Sequence, residues 1–198
     1  APPETPLECC QRSFVRPACQ SICSAGAEPR GGVKPGAFLP SYRCDDEMMN
    51  LLACSLADTR SSACCVRKKI PYHCIGLCDK DVRLGKQLSA SCMEYMDKIT
   101  ECHTESHEMR PRAVDNVRID GDSLSASAEW DASEGASVYH VYHRKRGSRE
   151  WKVQSSTKPS ARVSGAEQVV IVAANAFGST GAVRFSFEGG KWLTSYEI

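Results

Sequence analysis

The sequence predicts a two-domain protein: a disulfide-rich, mainly α-helical N-terminal domain built from two repeated helical units, followed by an all-β sandwich. Three observations predict it. All twelve cysteines of the 198-residue chain fall between Cys9 and Cys102, and they spell one register twice, C-C-x8-C-x3-C and then, after a gap, C-x9-C. Apolar residues within that half recur at helical spacing. From Pro111 onward the spacing changes to alternation, the period of strands.

The first copy of the register is Cys9, Cys10, Cys19, Cys23, Cys44 and Cys54; the second is Cys64, Cys65, Cys74, Cys78, Cys92 and Cys102. An even count at such density is a disulfide framework, and such frameworks persist in oxidising compartments, which places the protein outside the cytosol. The domain reads as residues 1–108, with units at about 7–58 and 62–107. The cysteine-free remainder is residues 109–198.

Within each unit the C-x3-C segment follows a proline, as in Pro17-Ala18-Cys19 and Pro71-Tyr72-His73-Cys74. Proline suits the first turn of a helix, and residues four apart then share one face. The longer segments share a second stripe, Cys44/Met48/Leu51/Cys54 and Cys92/Met96/Ile99/Cys102. Such a stripe marks one amphipathic helix in each unit, whose end cysteines stand roughly 15 Å apart and must bond to different neighbours.

Adjacent residues on a helix point about 100° apart, so each vicinal pair can staple its helix to two others. Six cysteines allow 15 connectivities, and spacing does not choose among them. A duplicated unit is most simply self-sufficient, so three bridges are expected inside each copy. They supplement a small apolar supply in which Leu7, Phe14, Phe38, Leu39 and Tyr42 join the two stripes. Asp45, Asp46 and Glu47 suit the first turn of a helix, where they favour its dipole.

Zinc sites favour C-x2-C spacing with histidines at set distances, which this chain lacks, so no metal and no cofactor is expected. His103 and His107 stand at i and i+4, but two imidazoles without a third ligand read as a solvated helix end.

In the second half, Val117-Arg118-Ile119, Leu124 to Trp130, Tyr139 to His143 and Val169 to Val172 alternate or run apolar, with turns at Gly121-Asp122 and Gly147-Ser148. About seven short strands fit a β-sandwich. Here the residues resemble the fibronectin type III domain. Pro111-x2-Val114 is similar to its opening strand, Ala128-x-Trp130 to its second strand with the core tryptophan, and Tyr139-x-Val141-x-His143-Arg144 to its third. Val169 through Gly178 resembles the sixth strand and its turn. Glu167 stands where the family has a corner tyrosine and His143 where an aromatic is common, which predicts an altered crossover between the fifth and sixth strands.

The twelve-cysteine register, placed before such a domain, resembles the DB module of nematode extracellular and cell-surface proteins. That resemblance implies an extracellular protein with no established activity and with immunoglobulin-like neighbours in a longer parent chain.

Function classes narrow accordingly. Basic and acidic residues balance, 14 and 14 over 1–110 and 11 and 10 over 111–198, so nucleic acid is not an expected partner. No apolar run reaches the roughly 20 residues of a membrane span, so no membrane insertion is expected. There is no Gly-x-Ser-x-Gly, no His-Glu-x-x-His and no Gly-rich phosphate loop, and no residue is nominated as catalytic. Secreted phospholipases follow vicinal cysteines with a histidine and an aspartate; here Gln11-Arg12 and Val66-Arg67 follow, which weighs against a secreted hydrolase or lipid-binding protein.

A non-catalytic extracellular ectodomain that binds another extracellular protein, in adhesion or as a receptor, is the leading expectation. A growth-factor co-receptor built of stapled helices is the alternative. Arg-Gly-Asp is absent, which removes integrin binding by that route. Arg144, Lys145, Arg146, Arg149 and Lys152 cluster about the Gly147-Ser148 turn as a candidate contact for a heparan-type glycosaminoglycan. Arg67-Lys68-Lys69 is a second basic run. Trp151 and Trp192 read as exposed aromatics, Trp151 packing across its neighbour.

Overall fold

The doubled register becomes a doubled set of bridges. In the computed structural model, which describes residues 1–24, 44, 47, 50, 51, 54, 58–79, 90–180 and 182–194, the first copy closes Cys9–Cys54, Cys10–Cys23 and Cys19–Cys44. The second copy closes Cys64–Cys102, Cys65–Cys78 and Cys74–Cys92. Numbered within each copy, the pairing is first to sixth, second to fourth and third to fifth in both. The chain divides into two compact units, Glu4–Arg110 with Ala176–Ser179, and Ala1–Pro3 with Pro111–Asn175 and Thr180–Ile198.

In the cysteine-rich unit, helix α1 (Pro6–Arg12) begins with a reciprocal cap: the Thr5 hydroxyl accepts from Glu8 N at 3.2 Å, and the Glu8 carboxylate accepts from Thr5 N at 2.8 Å. Two donors of the helix start are thereby satisfied, with Pro6 in the first turn where no amide hydrogen is needed. Helix α2 spans Pro17–Ser24. After the short strand β1 (Asp58–Thr59) come α3 (Ser62–Arg67), α4 (Tyr72–Ile75), a 3-10 turn at Gly76–Cys78, α5 (Ala90–Met93) and α6 (Met96–Met109). β1 pairs antiparallel with β8 (Gly178–Ser179).

Both copies end their first helix in the same way. Val15 N donates to Cys10 O and Phe14 N to Gln11 O; in the second copy Ile70 N donates to Cys65 O and Lys69 N to Val66 O. These are the two bonds of a Schellman turn, which needs a left-handed residue after the cap. Phe14 and Lys69 supply it. Val15 and Ile70, the next residues, are buried beside the cystines. The core of each copy is sulfur with few hydrocarbons added, Val15 and Leu51 in the first, Ile70, Leu77 and Ile99 in the second.

Four expectations for this unit change. Phe14, read as core, is 92% exposed, because the left-handed turn points it outward while Val15 takes the buried place. The stripe from Cys92 to Cys102 is two helices, interrupted at Glu94 and Tyr95, rather than one. The second C-x3-C segment tightens to 3-10 at Gly76 before reaching Cys78. His103 and His107 are buried, not a solvated helix end. Phe38, Leu39, Tyr42, Asp45, Asp46 and Met48 lie outside the described residues.

The second unit is a sandwich of two antiparallel sheets. One is β2 (Arg118–Gly121), β3 (Ser125–Glu129) and β6 (Ser160–Ser164), in the order β2-β3-β6. The other, in the order β5-β4-β7-β9-β10, is β5 (Lys152–Ser156), β4 (Val138–Arg144), β7 (Gln168–Asn175), β9 (Val183–Glu188) and β10 (Lys191–Thr194). The chain crosses from the first sheet to the second between β3 and β4, returns for β6 and crosses again for β7. Alternation along β3 buries Ala126 and Ala128, and along β4 Tyr139 and Val141; these meet Val163, Val169, Ile171 and Phe185 between the sheets. Trp130 packs edge-on against Tyr139 with ring centroids 5.3 Å apart.

The expected turns form. Gly121 adopts φ +109°, and a Cβ there would meet Ser125 O at 2.3 Å, so only glycine closes the β2–β3 turn. The stretch from Pro111 to Val114, expected as the opening strand, carries no strand; Val114 still packs into the core, and the first ladder begins at Arg118. The crossover from β6 to β7 is three residues, Gly165 to Glu167, held by Gly165 N on Leu124 O and Ala166 N on Ser123 O.

Candidate interaction surface

The basic hairpin joins β4 to β5, and its tip is a turn in which Ser148 N donates to Lys145 O at 3.1 Å with Gly147 at φ +80°. All five basic residues nominated from the sequence, Arg144, Lys145, Arg146, Arg149 and Lys152, lie on it, but they divide into two kinds. The Arg144 guanidinium lies 4.2 Å from the Trp151 ring centroid, and its Nε donates to Gln168 Oε1 at 2.6 Å and its Nη1 to Ser148 O at 3.0 Å. A cation on an indole face, further held by two acceptors, braces the loop. Arg146 is tied as well: its backbone N donates to Glu167 Oε2 at 2.8 Å, and its Nη2 to Phe187 O at 3.0 Å and Glu188 Oε1 at 3.1 Å.

Glu167 thus anchors the hairpin tip through its carboxylate. Lys145, Arg149 and Lys152 are exposed, and no carboxylate pairs with their side chains among the described residues. Lys152 sits opposite His143 across the ladder. Burial, and then the charge of Lys152, hold His143 below the usual imidazole range. Trp151 and Trp192 are half-buried rather than exposed, Trp192 against Phe187 with ring centroids 5.3 Å apart.

In the cysteine-rich unit the second basic run is also engaged. Arg67 pairs with Glu105 at 2.9 Å and Lys68 with Glu101, two adjacent cations of α3 and its cap meeting two acids one turn apart on α6. Cys64–Cys102 closes the same two helices. In the first copy Arg16 meets Glu47 at 3.2 Å and Arg12 meets Glu4 at 2.7 Å.

Three serine–histidine contacts invite a test for nucleophilic chemistry: Ser61 with His103 at 3.0 Å, Ser91 with His73 at 3.0 Å and Ser155 with His140 at 2.8 Å. In a hydrolytic triad the second ring nitrogen faces a carboxylate. In His103 it faces the Leu77 carbonyl at 2.8 Å, which makes the ring a structural bridge. His73, Cys74 and Cys92 bring potential ligand atoms within 4.8 Å, yet Cys74 and Cys92 are bonded to each other, so neither sulfur is the thiolate a metal takes.

Sequence reasoning missed Arg110. It is among the largest fully buried side chains, giving Nη1 to Ser179 O at 2.9 Å and Nη2 to His107 Nδ1 at 2.8 Å. The signal was present: Ile99, His103, Ser106, His107 and Arg110 continue the α6 stripe at steps of three and four.

Residues 9–103 match the family model of the DB module. Two curated Caenorhabditis elegans proteins, Ig-like and fibronectin type-III domain-containing proteins 1 and 2, are each 26% identical over 184 residues, covering 89% of this chain. The chain spans 17% and 11% of their lengths. Among solved structures, FN3tt aligns at 17% identity over 43% of this chain and 94% of its own, and the fn3 domain of human collagen alpha-1(XX) chain at 16% over 41% and 88%, each with a TM-score of 0.33. The sandwich described above rests on its own strand order.

Proposed function

With residues 9–103 a DB module standing before a fibronectin type III-like sandwich, we propose that the chain is a non-catalytic recognition portion of an extracellular protein and binds another extracellular protein. The observation that carries this reading is the sulfur: twelve cysteines close six bridges in one repeated pairing, with no free thiol. A scaffold so stapled maintains a surface, and it suits a compartment where cystines endure. No helix among the described residues is long and apolar enough to cross a membrane. The test is a binding screen of the oxidised chain against extracellular proteins, with the reduced and alkylated chain as control. A partner captured only by the oxidised form supports the reading; turnover of a small substrate by the oxidised chain overturns it.

A second reading, contact with a heparan-type glycosaminoglycan, is favoured by the exposed ends of Lys145, Arg149 and Lys152 on a hairpin that Arg144 and Arg146 brace. Lys145→Ala/Arg149→Ala/Lys152→Ala is expected to elute from immobilised heparin at lower salt than the parent. Elution at unchanged salt removes this contact.

A further inference from the structure

Helix α3 is capped by a side chain other than its own. Ser61, the residue before α3, makes no side-chain cap; its hydroxyl is turned to His103 Nδ1 at 3.0 Å. Asp79 takes over, its Oδ1 accepting from Ser61 N at 2.7 Å and Ser62 N at 3.0 Å. His103 is 1% exposed. A carbonyl only accepts, so the contact of Nε2 with Leu77 O at 2.8 Å places the ring proton on Nε2 and leaves Nδ1 to accept from Ser61. The neutral ring is fully satisfied, and it joins α6 to both the start of α3 and the 3-10 turn.

We propose that the Ser61–His103–Leu77 bridge is an acid-sensitive pin that loosens the second cysteine copy, and not the first, as the surroundings acidify. A proton added at Nδ1 takes the acceptor that the Ser61 hydroxyl uses and puts a charge where there is almost no water. Asp79 is the anion facing the ring, but its Oδ1 is already committed to two amides. Other charged and titratable groups on the adjoining segments offer no relief: Arg60, in a β-bridge with Asp79, is a cation, Glu105 of α6 pairs with Arg67, and His107 one turn along α6 receives Arg110. Burial therefore outweighs the help of Leu77 O and Asp79 and holds His103 below the usual imidazole range.

A native pKa below the unfolded one means that the unfolded chain binds more protons in the interval between them. The contribution is present above about pH 6.5 and is lost as pH falls toward the native value. Alignment by cysteines puts Ser55 in the first copy where His103 stands, and Pro6 where Ser61 stands, so the first copy has no imidazole there.

The experiment is amide hydrogen exchange on the full oxidised chain between about pH 7.5 and about pH 5, corrected for intrinsic exchange, for the parent and for His103→Gln. The opening constant at Ser61 and Ser62 is expected to rise by up to about tenfold per pH unit below about 6.5, while Phe14 and Val15 stay flat. His103→Gln, whose amide can give to Leu77 O and accept from Ser61 without titrating, is expected to be flat at all four. Equal slopes in parent and variant, or no slope in the parent, overturn the proposal. Ring titration by NMR in the parent guards against a misfolded variant: a His103 pKa at or above that of free histidine also overturns it.

Discussion

Phe14 and Lys69 occupy the same left-handed turn in the two copies, at φ 58° and 57°. Neither is the glycine that such a position favours, and Phe14 gains no burial from it. A side chain in this region costs about 1–2 kcal/mol, partly offset on changing to glycine by greater freedom of the unfolded chain. Phe14→Gly and Lys69→Gly are each expected to stabilise the protein by about 0.5–1 kcal/mol, read as a raised thermal midpoint under oxidising conditions. A lowered midpoint in both would mean that the side chains hold the turn.

The shared pairing makes equivalent bridges comparable. Cys10–Cys23 and Cys65–Cys78 each enclose a sequence separation of 13. Replacing either pair by alanines is expected to cost about 3 kcal/mol on the chain-entropy argument. Chemical denaturation of the two double variants should give similar losses.

Asp122 organises the β2–β3 turn by accepting from Leu124 N at 2.8 Å and Ser125 N at 3.0 Å. Those amides, Ser125 first, hold its carboxyl below the usual range. Its contribution is therefore present above the ordinary aspartate pKa and is lost as pH falls through the native value. Asp122→Asn, which keeps an acceptor, should reduce the difference between melting at neutral and at acid pH, and Asp122→Ala should also lower the neutral midpoint.

Tyr139 serves the sandwich twice. Its ring meets Trp130, and its hydroxyl accepts from Ser133 N at 2.8 Å. Tyr139→Phe keeps the ring contact and orphans the amide, an expected loss of about 1 kcal/mol measured by denaturant midpoint.

What the sequence revealed depended on periodicity. Ala126 and Ala128 on β3, and Tyr139 and Val141 on β4, alternate cleanly because each strand buries one face. The register of cysteines located both copies because sulfur has few other reasons to recur so regularly. The interruption at Glu94 and Tyr95 was invisible because Cys92, Met96, Ile99 and Cys102 keep helical spacing on either side of it. His103 and His107, polar and at i, i+4 spacing, read as a solvated helix end, yet both are buried. A buried imidazole needs two partners, and Ser61 and Leu77 lie 42 and 26 residues away from His103. The roles of Arg144 and Arg146 are equally hidden, since their acceptors Gln168, Glu167 and Glu188 lie 21 to 42 residues further along the chain.

No bridge joins the first six cysteines to the second six. Because Cys54 precedes Cys64 along the chain, every cysteine of the earlier set is synthesised before any of the later set. Chain order thus presents the first copy with its own partners ahead of those of its near-duplicate, an advantage that twelve interchangeable thiols released together would lack.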